Sequence, residues 1–328
     1  MSPSSAPATH TTRRSRAAGD LQPALCTLVT EAPDGDDWLH EIKLDGYRLL
    51  CSKSRGRVRL TTRSGLDWTA RFPSIDASIS KLGLDDIVID GEAVVFDAHG
   101  VTSFQRMVEA LGTAPQTIVL QAFDILRLDG RDVRGMPLVD RKRLLSDIVA
   151  RARTKAITVA EHVVGDGPRF FREACKSGVE GIVSKRANGG YPVGRTKEWL
   201  KIRCSRRQEL VVVGFTDPKG SRAGIGALLL GVHDKGKLLY AGKVGTGFST
   251  RTLEELRQKL EPIRVDEPPV IGAPRARGQH WTRPELVAEI GFTEWTRDGR
   301  VRHPTFLGLR EDKPAREATR ERARGRSG

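Results

Sequence analysis

The apolar residues of this chain fall in short segments, and this limits its possible folds more than any other feature. The longest apolar segments, such as Glu209–Phe215 and Ala227–Val232, have the length of strands. A membrane-spanning helix needs about 18 or more consecutive apolar residues, and no window of the sequence approaches that. We therefore exclude a membrane protein and expect a cytoplasmic protein built from strands and a few helices.

The first two thirds of the chain mix strand and helix signals. A Pro followed by apolar residues near the 3.6-residue period predicts a helix over Pro137–Ala152. A second helix is expected near Arg169–Ser177. Asp90-Gly91 is a favoured tight-turn pair and predicts a hairpin between two of the strands. His40–Cys51 is strand-like, with the apolar run Tyr47–Cys51 after a Leu-Asp-Gly turn signal. The other expected strands are Val58–Thr62, Ile87–Ile89, Ala93–Phe96, Thr158–Val164 and Gly181–Ser184.

After Arg203 the pattern changes to short strands broken by Gly-rich turns, with one helix near Thr250–Leu260. Several short strands and one helix in about 100 residues are typical of a small β-barrel such as an OB-fold. The strands are expected at Leu210–Val213, Ala227–Val232, Leu238–Val244 and Leu286–Ile290. We predict an α+β protein with a disordered basic arm (1–20), a first domain (21–205), a barrel domain (206–314) and an Arg-rich disordered tail (315–328).

The chain is strongly basic, with 55 Lys and Arg against 41 Asp and Glu and a formal net charge of +14. Residues 1–20 carry +2 and residues 315–328 carry +3, so +9 remains on the body. A basic body favours nucleic acid as a partner, because phosphates attract it through counterion release. Solvated charges on an ordinary basic protein are the alternative that charge alone leaves open.

The four cysteines are scattered and form no C-x-x-C pair. Structural zinc sites use closely spaced ligands, so the sequence argues against zinc. A disulfide framework is not expected at this cysteine density, and we predict free thiols in a reducing compartment. The residues concerned are Cys26, Cys51, Cys175 and Cys204.

The segment Glu41–Arg48 carries the chemistry that the sequence suggests most directly. It contains Lys43, Asp45 and Gly46 in a K-x-D-G pattern, with Arg48 two residues beyond. A lysine attacks phosphorus only when its amine is unprotonated, which requires a site that lowers its proton affinity. The tetrapeptide alone is equally compatible with an exposed turn lysine.

Five further segments, in the same order, resemble motifs of the covalent nucleotidyltransferases, the superfamily of ATP-dependent DNA ligases, RNA ligases and messenger-RNA capping enzymes. With K-x-D-G at Lys43–Gly46, the set is Arg63-Ser64-Gly65, Asp90-Gly91-Glu92, the aromatic Phe123, E-G-x-V-x-K at Glu180–Lys185 and W-x-K at Trp199–Lys201. Thr293–Lys313 is similar to the C-terminal signature of the bacterial end-joining ligases, the ligase D group. The chain therefore resembles a stand-alone ligase of that group or its excised ligase domain.

The resemblance implies an adenylation domain of antiparallel sheets with flanking helices, followed by an OB-fold barrel. It implies an ATP-dependent DNA ligase of non-homologous end joining that uses Mg²⁺ or Mn²⁺. The expected substrate is nicked or broken double-stranded DNA, with a Ku-like end-binding protein as a possible partner. We expect a monomer associated with the nucleoid. The short arm before Lys43 implies weak intrinsic DNA affinity, helped by the arginines at positions 316, 320, 322, 324 and 326.

The resemblance also implies a role for each matching residue. Lys43 takes AMP, Lys185 and Lys201 neutralise the α-phosphate, and Arg310, with Asp312 and Lys313, meets the pyrophosphate. Glu41, Ile42 and Val183 line the adenine edge, and Phe123 stacks on its face. Arg48, Arg63, Glu92 and Arg195 contact ribose and phosphates. Glu92 and Glu180 hold the metal.

Two features of the sequence do not fit this scheme simply. Glu180 and Lys185, five residues apart, point to opposite faces of an ideal strand. Arg203 stands where relatives often carry a second lysine after W-x-K, so charge is kept but geometry is not, and we leave it out of the site.

Three alternative functions can be compared with a DNA ligase. An NAD-dependent ligase would need a domain before Lys43 and usually a four-cysteine zinc module, neither of which the sequence provides. An RNA ligase or capping-type nucleotidyltransferase shares the central motifs. A non-catalytic nucleic-acid-binding OB protein would keep the barrel and the charge without the chemistry.

Overall fold

The computed structural model describes residues 21–152, 154–218 and 224–323, and every structural statement below concerns these residues. The expected basic arm over residues 1–20 and the last five residues of the expected tail lie outside them. The described fold combines two sheets and flanking helices with a C-terminal barrel, so the prediction of an α+β protein is confirmed. The predicted domain limits at residues 205 and 314 stay predictions.

The N-terminal part contains two sheets. The strands in chain order are β1 (Ala24–Leu28), β2 (Trp38–Ile42), β3 (Tyr47–Ser54), β4 (Arg57–Thr62), β5 (Asp86–Val94), β6 (Val119–Leu128), β7 (Arg131–Asp132), β8 (Ile157–Val159), β9 (Val163–Val164), β10 (Gly181–Arg186) and β11 (Gly194–Arg203). The first sheet has the order β1-β11-β10-β2-β9. The second has the order β4-β3-β5-β6-β7, with β8 beside β6. Only the β1–β11 and β6–β8 pairs are parallel among the described pairs of these sheets.

Four helices flank these sheets: α1 (Pro73–Ser80), α2 (Phe104–Thr113), α3 (Leu138–Ala152) and α4 (Gly167–Lys176). The largest core cluster lies between the second sheet and α1, α2 and α3, and includes Phe72, Ile75, Phe104 and Leu145, none more than 1% exposed. Burying each such side chain contributes about 1.5–3 kcal/mol. Arg141 of α3 is also fully buried, where it pairs with Asp124 through contacts of 2.7 and 2.9 Å. This core fixes the second sheet, which forms one wall of the site.

The C-terminal part is a barrel. Its strands are β12 (Arg206–Thr216), β13 (Leu228–Asp234), β14 (Lys237–Val244), β15 (Arg264–Val265), β16 (Gln279–Thr282), β17 (Val287–Phe292), β18 (Glu294–Trp295), β19 (Val301–Arg302) and β20 (Thr305–Leu309). β12 is the central strand, since it pairs with β13, β16 and β17. The predicted OB-fold is confirmed.

The barrel helix α5 (Thr250–Leu260) coincides with the helix that the sequence predicts. Its N-terminus is capped by Ser249, whose Oγ accepts a hydrogen bond from the Thr252 backbone N–H at 3.1 Å. Leu253, Leu256 and Leu260 face inward at helical spacing and are at most 4% exposed. The helix therefore closes one side of the barrel core.

The predicted hairpin at Asp90-Gly91 is wrong. Residues 86–94 form one continuous strand, β5, in the middle of the second sheet. Gly91 is needed there for a close approach and not for a turn, because a Cβ would lie 2.8 Å from Leu120 Cδ1 and 2.9 Å from the Gln121 carbonyl oxygen. The predicted strand over Thr158–Val164 is likewise divided into β8 and β9, which belong to different sheets.

The structure also differs from the expected disordered tail over residues 315–323. Ala315–Glu317 form a turn of 3₁₀ helix, and Ala318 is 1% exposed in a barrel core cluster. Thr319 forms a parallel bridge with His233 of β13. Arg322 pairs with Asp234 at 2.7 Å. Apolar burial and backbone pairing therefore order these residues, and we call them the C-terminal segment.

The prediction of four free thiols is wrong for two of them. Cys175, near the end of α4, and Cys204, just after β11, form a disulfide with a Cα–Cα distance of 5.2 Å. The pairing was not predictable from the sequence, because it depends on how α4 packs against the first sheet. Cys26 and Cys51 are free.

Within the described ranges, no helix is both long enough and apolar enough to cross a membrane.

Candidate functional site

A single cavity brings together the residues that the resemblance assigns to catalysis, nucleotide or metal, with the exception of Asp312. It lies where the two sheets meet the barrel. The lining contains Lys43, Lys185, Lys201, Arg310, Glu41, Ile42, Arg48, Arg63, Glu92, Phe123, Val183, Arg195 and Glu180. The lining also includes Lys313, but not Asp312. The motifs thus converge in space as the resemblance implies, while the role of each residue stays a prediction.

Lys43 lies in the loop between β2 of the first sheet and β3 of the second. Gly46 lets the chain cross between the sheets, since a Cβ there would lie 2.0 Å from the Ala93 carbonyl oxygen. Asp45 fixes the loop, because its carboxylate accepts hydrogen bonds from the Phe104 N–H at 3.1 Å and from Arg207 at 2.5 Å. Local packing therefore explains the Asp and Gly of K-x-D-G, and leaves the lysine facing the cavity.

The ammonium of Lys43 forms an ion pair with Glu180, with 2.5 Å between Nζ and Oε2. Burial would lower the pKa of Lys43, but the charge of Glu180 outweighs it and holds that pKa above its usual value. Glu180 lies just before β10, which begins at Gly181. The expected conflict with Lys185 is therefore absent, because strand alternation does not apply to Glu180.

Lys185 and Glu41 form a second buried ion pair, with 2.7 Å between Nζ and Oε2. They come from the neighbouring strands β10 and β2, and Val183 pairs with Glu41 in that register. The ammonium of Lys185 lies 4.3 Å from the ring centre of Phe123 and 4.2 Å from that of Trp199. Burial, the largest cause, lowers the pKa of Lys185. Phe123 is thus both core and cavity wall.

Arg48 of β3 also lines the cavity and is held by several hydrogen bonds. Its guanidinium contacts both Asp90 oxygens, at 2.9 and 2.5 Å, and donates to the Ala24 carbonyl at 2.5 Å. Tyr191 completes this network by donating to Asp90 at 2.6 Å. At the cavity edge, Arg195 donates to the Cys26 carbonyl at 2.6 Å.

The two carboxylates predicted to hold a metal both line the cavity. The carboxylate of Glu92 has no hydrogen bond or ion pair among the described residues, and burial raises its pKa to about 7. The described part of the chain has no cluster of three or more His, Cys, Asp or Glu suited to a metal ion. Mg²⁺ commonly binds one or two carboxylates together with phosphate and water oxygens, so Glu92 and Glu180 fit that ion beside a bound nucleotide.

The C-terminal segment lines the cavity with Glu317, Thr319 and Glu321, and Glu321 contacts two of the cavity cations. Its carboxylate lies 2.6 Å from Lys201 Nζ and 2.9 Å from Arg203 Nη1. Arg203 also lies 3.4 Å from Glu180, so the residue that sequence reasoning leaves out belongs to the cavity. The position of Arg203, where relatives often have a second lysine, could have indicated that it belongs to the cavity. Nothing in the sequence pointed to Glu321.

The barrel contributes two cations from the residues that follow its last strand, Arg310 and Lys313. The Arg310 guanidinium is fixed by Asp312 at 2.9 and 2.8 Å and lies 4.7 Å from the ring centre of Phe104. The expectation that Asp312 meets the pyrophosphate is wrong, because its side chain is only 2% exposed and does not line the cavity. Asp312 instead orients Arg310. Lys313 pairs with Glu209.

The sequence also did not predict that two barrel carboxylates line the cavity. Glu209 of β12 lies directly opposite Glu289 of β17, and both line the cavity. Glu289 is 7% exposed, and its carboxylate has no hydrogen bond or ion pair among the described residues. Burial and the facing charge of Glu209 raise its pKa. Isolated glutamates in barrel strands gave no signal in the sequence.

Two family models match the chain over most of its length. The ATP dependent DNA ligase domain matches residues 23–203, and the ATP dependent DNA ligase C terminal region matches residues 221–313. The first range contains the two-sheet part from β1 to β11, and the second contains the barrel strands from β13 onward.

Curated relatives and solved structures agree with these matches. The multifunctional non-homologous end joining protein LigD of Pseudomonas aeruginosa is 39% identical over 97% of this chain. The LigD of Mycobacterium tuberculosis (strain H37Rv) is 40% identical over 92% of it. The chain spans about two fifths of the length of these relatives. A structure of mycobacterial DNA ligase D complexed with ATP and MES has 39% identity and a TM-score of 0.70, with 92% of this chain and 99% of that one covered.

Proposed function

Because this chain belongs to the family of ATP-dependent DNA ligases, we propose that it joins a 5′-phosphate to a 3′-hydroxyl in double-stranded DNA through a lysyl-AMP intermediate on Lys43. One observation carries the proposal: the Lys43 amine and the cations Lys185, Lys201 and Arg310 line one cavity. A nucleophile and several positive charges around one space suit attack on a phosphate.

In the first step the unprotonated Nζ of Lys43 attacks the α-phosphorus of ATP. A P–N bond forms, the bond to the bridging oxygen breaks, and pyrophosphate leaves. Lys43 must first lose a proton and its contact with Glu180, because the ammonium has no lone pair. Lys185 and Lys201 neutralise the charge that develops on the α-phosphate, and Arg310 and Lys313 hold the pyrophosphate.

The remaining cavity residues orient the nucleotide. Glu41 and the backbone at Ile42 and Val183 recognise the adenine edge, and Phe123 stacks on the ring. Arg48, Arg63, Arg195 and Glu92 contact ribose and phosphates. A Mg²⁺ or Mn²⁺ ion held by Glu92 and Glu180 would supply charge stabilisation at the phosphate oxygens.

In the second step AMP moves from Lys43 to the DNA 5′-phosphate, and the P–N bond is exchanged for a P–O–P bond. In the third, the 3′-hydroxyl attacks that 5′-phosphorus and AMP leaves. The cavity includes barrel residues, so DNA requires the barrel to move away after the first step. We propose 21–205 and 206–314 as the two moving domains, with residues 204–208 as the hinge.

The curated relatives named above are end-joining proteins, which supports a role for this chain in break repair at the nucleoid. We propose that it acts as a monomer on nicked or broken DNA, and that a Ku-like protein compensates for weak intrinsic DNA affinity. The arginines after residue 314 would add to that affinity. Because residues 315–323 pack on the barrel, the test removes residues 324–328 only, which should raise the KM for nicked DNA and flatten its salt dependence; an unchanged salt slope would argue against this.

The proposal is tested by incubating the protein with α-labelled ATP and Mg²⁺, followed by denaturing electrophoresis. Wild-type protein should carry a covalent label, and Lys43→Ala should carry none. Before the assay, pyrophosphate treatment removes any AMP bound during expression. A matched pair of nicked DNA and nicked RNA duplexes then distinguishes a DNA ligase from an RNA ligase. A wild type that remains unlabelled would instead favour a non-catalytic binding protein.

A further inference from the structure

A second buried lysine lies against Glu41, and none of the roles above includes it. Lys142 projects from α3, is 2% exposed, and places its Nζ 2.5 Å from Glu41 Oε1. It also donates to the Ala160 carbonyl at 3.3 Å. Lys142 is not among the residues that line the cavity, so it supports Glu41 from behind.

Glu41 therefore lies between two ammonium groups with different surroundings. Lys185 faces the cavity and the rings of Phe123 and Trp199, whereas Lys142 is enclosed by protein. The buried carboxylate needs a counter-charge, because an unpaired charge inside a protein is strongly destabilising. Burial alone would raise the pKa of Glu41, and the charge of Lys142, followed by that of Lys185, holds it below its usual value.

The alignment of the contacts shows which oxygen is available to a ligand. Oε2 accepts a hydrogen bond from Lys185. Oε1 is buried and lies 2.5 Å from the ammonium of Lys142, which holds it from behind. Oε2 is the oxygen that becomes free when Lys185 moves away, and a charged carboxylate oxygen with a free lone pair suits an N–H donor such as the amino group of a purine.

We propose that Lys142 is a positioning residue for the ligase reaction. It keeps Glu41 ionised and in place, so that Glu41 can accept the adenine amino group while Lys185 leaves Glu41 for the α-phosphate. Without Lys142, Glu41 has only Lys185 as a counter-charge, and phosphate and Glu41 compete for the same ammonium. The inference rests on the proposed function, since it assigns Glu41 to adenine and Lys185 to phosphate.

The test compares Lys142→Met and Lys142→Arg with Arg143→Met, an exposed position on the same helix. Single-turnover formation of the labelled adenylate is measured with ATP and with the triphosphate of purine riboside, which lacks the 6-amino group. Lys142→Met should slow adenylation by ATP about tenfold, equivalent to one pKa unit of electrostatic stabilisation. It should also reduce the preference for ATP over the analogue. Lys142→Arg should restore most of both, and Arg143→Met should match the wild type.

A double variant separates positioning from general destabilisation. In a Glu41→Gln background, Lys142→Met should have little further effect on the rate, because no carboxylate remains to be held. This double variant removes both charges together, so it also serves if Lys142→Met alone does not fold. Equal rates and preferences in Lys142→Met and wild type, or additive losses in the double variant, would overturn the inference. A wild type without label would overturn the proposed function itself.

Discussion

The carboxylate of Glu321 lies 2.6 Å from the ammonium of Lys201, and its second oxygen lies 2.9 Å from Arg203. A residue of the C-terminal segment thus neutralises a cation that the proposed mechanism assigns to the α-phosphate. Backbone pairing of Thr319 with β13 and burial of Ala318 hold the segment in place. A carboxylate and a phosphate compete for the same positive charge, so the proposed mechanism requires ATP to displace Glu321.

Replacement of Glu321 by Gln should therefore strengthen ATP binding. We expect the KM for ATP in the adenylation assay to fall about three- to tenfold, which corresponds to roughly 1 kcal/mol of lost competition from a partly exposed ion pair. The matched control is Glu285→Gln, which removes an exposed carboxylate paired with Arg283. A KM that is unchanged or higher in Glu321→Gln would show that the carboxylate does not compete with nucleotide.

Gly91 gives a test of the fold at the second sheet. A Cβ at this position would lie within 3.0 Å of Leu120 and Gln121, in a part of the core where neighbours cannot move freely. Gly91→Ala should lower the free energy of unfolding by about 1–3 kcal/mol, measured by urea denaturation. Gly83→Ala is the control, because no atom lies within 4 Å of its added Cβ. Equal stability of the two variants would contradict the tight packing at Gly91.

Much of the fold followed from local patterns. Ser249 and the leucine spacing define α5 without help from the rest of the chain. The prediction of a turn at Asp90-Gly91 was wrong because strand packing overrides the turn propensity of this pair. The site residues could be predicted because their motifs are contiguous segments. Glu321 could not, since its contact with Lys201 spans 120 residues and depends on barrel position.

The disulfide between Cys175 and Cys204 can be tested by counting free thiols before and after reduction. Alkylation of the denatured, unreduced protein should modify two cysteines, Cys26 and Cys51, and alkylation after reduction should modify four. Intact mass measurement gives both numbers. The bond closes a segment with a sequence separation of 29, so its loss in Cys175→Ser should lower the free energy of unfolding by about 3–4 kcal/mol on the chain-entropy estimate. Four modified cysteines before reduction would refute the pairing.

The facing carboxylates Glu209 and Glu289 predict a pH-dependent stability. Burial and the charge of Glu209 raise the folded-state pKa of Glu289 to about 7, well above that of an unfolded glutamate. A carboxyl with a raised pKa stabilises the fold fully below the unfolded pKa, and this contribution is lost as pH rises through about 7. The wild type should therefore become less stable between about pH 5 and pH 8 through this group.

Glu289→Gln replaces the carboxyl with a neutral group of similar shape and so removes the effect. The variant should be more stable than the wild type at pH 8 by about 1–2 kcal/mol, and the difference should be much smaller at pH 5, where Glu289 is protonated in the folded protein and the pH is close to the pKa of an unfolded glutamate. Urea denaturation at both pH values measures it, with Glu285→Gln as the exposed control. A stability difference that is the same at pH 5 and pH 8 would mean that Glu289 is ionised across the range, as expected if its charge is balanced by Arg310 or Arg203.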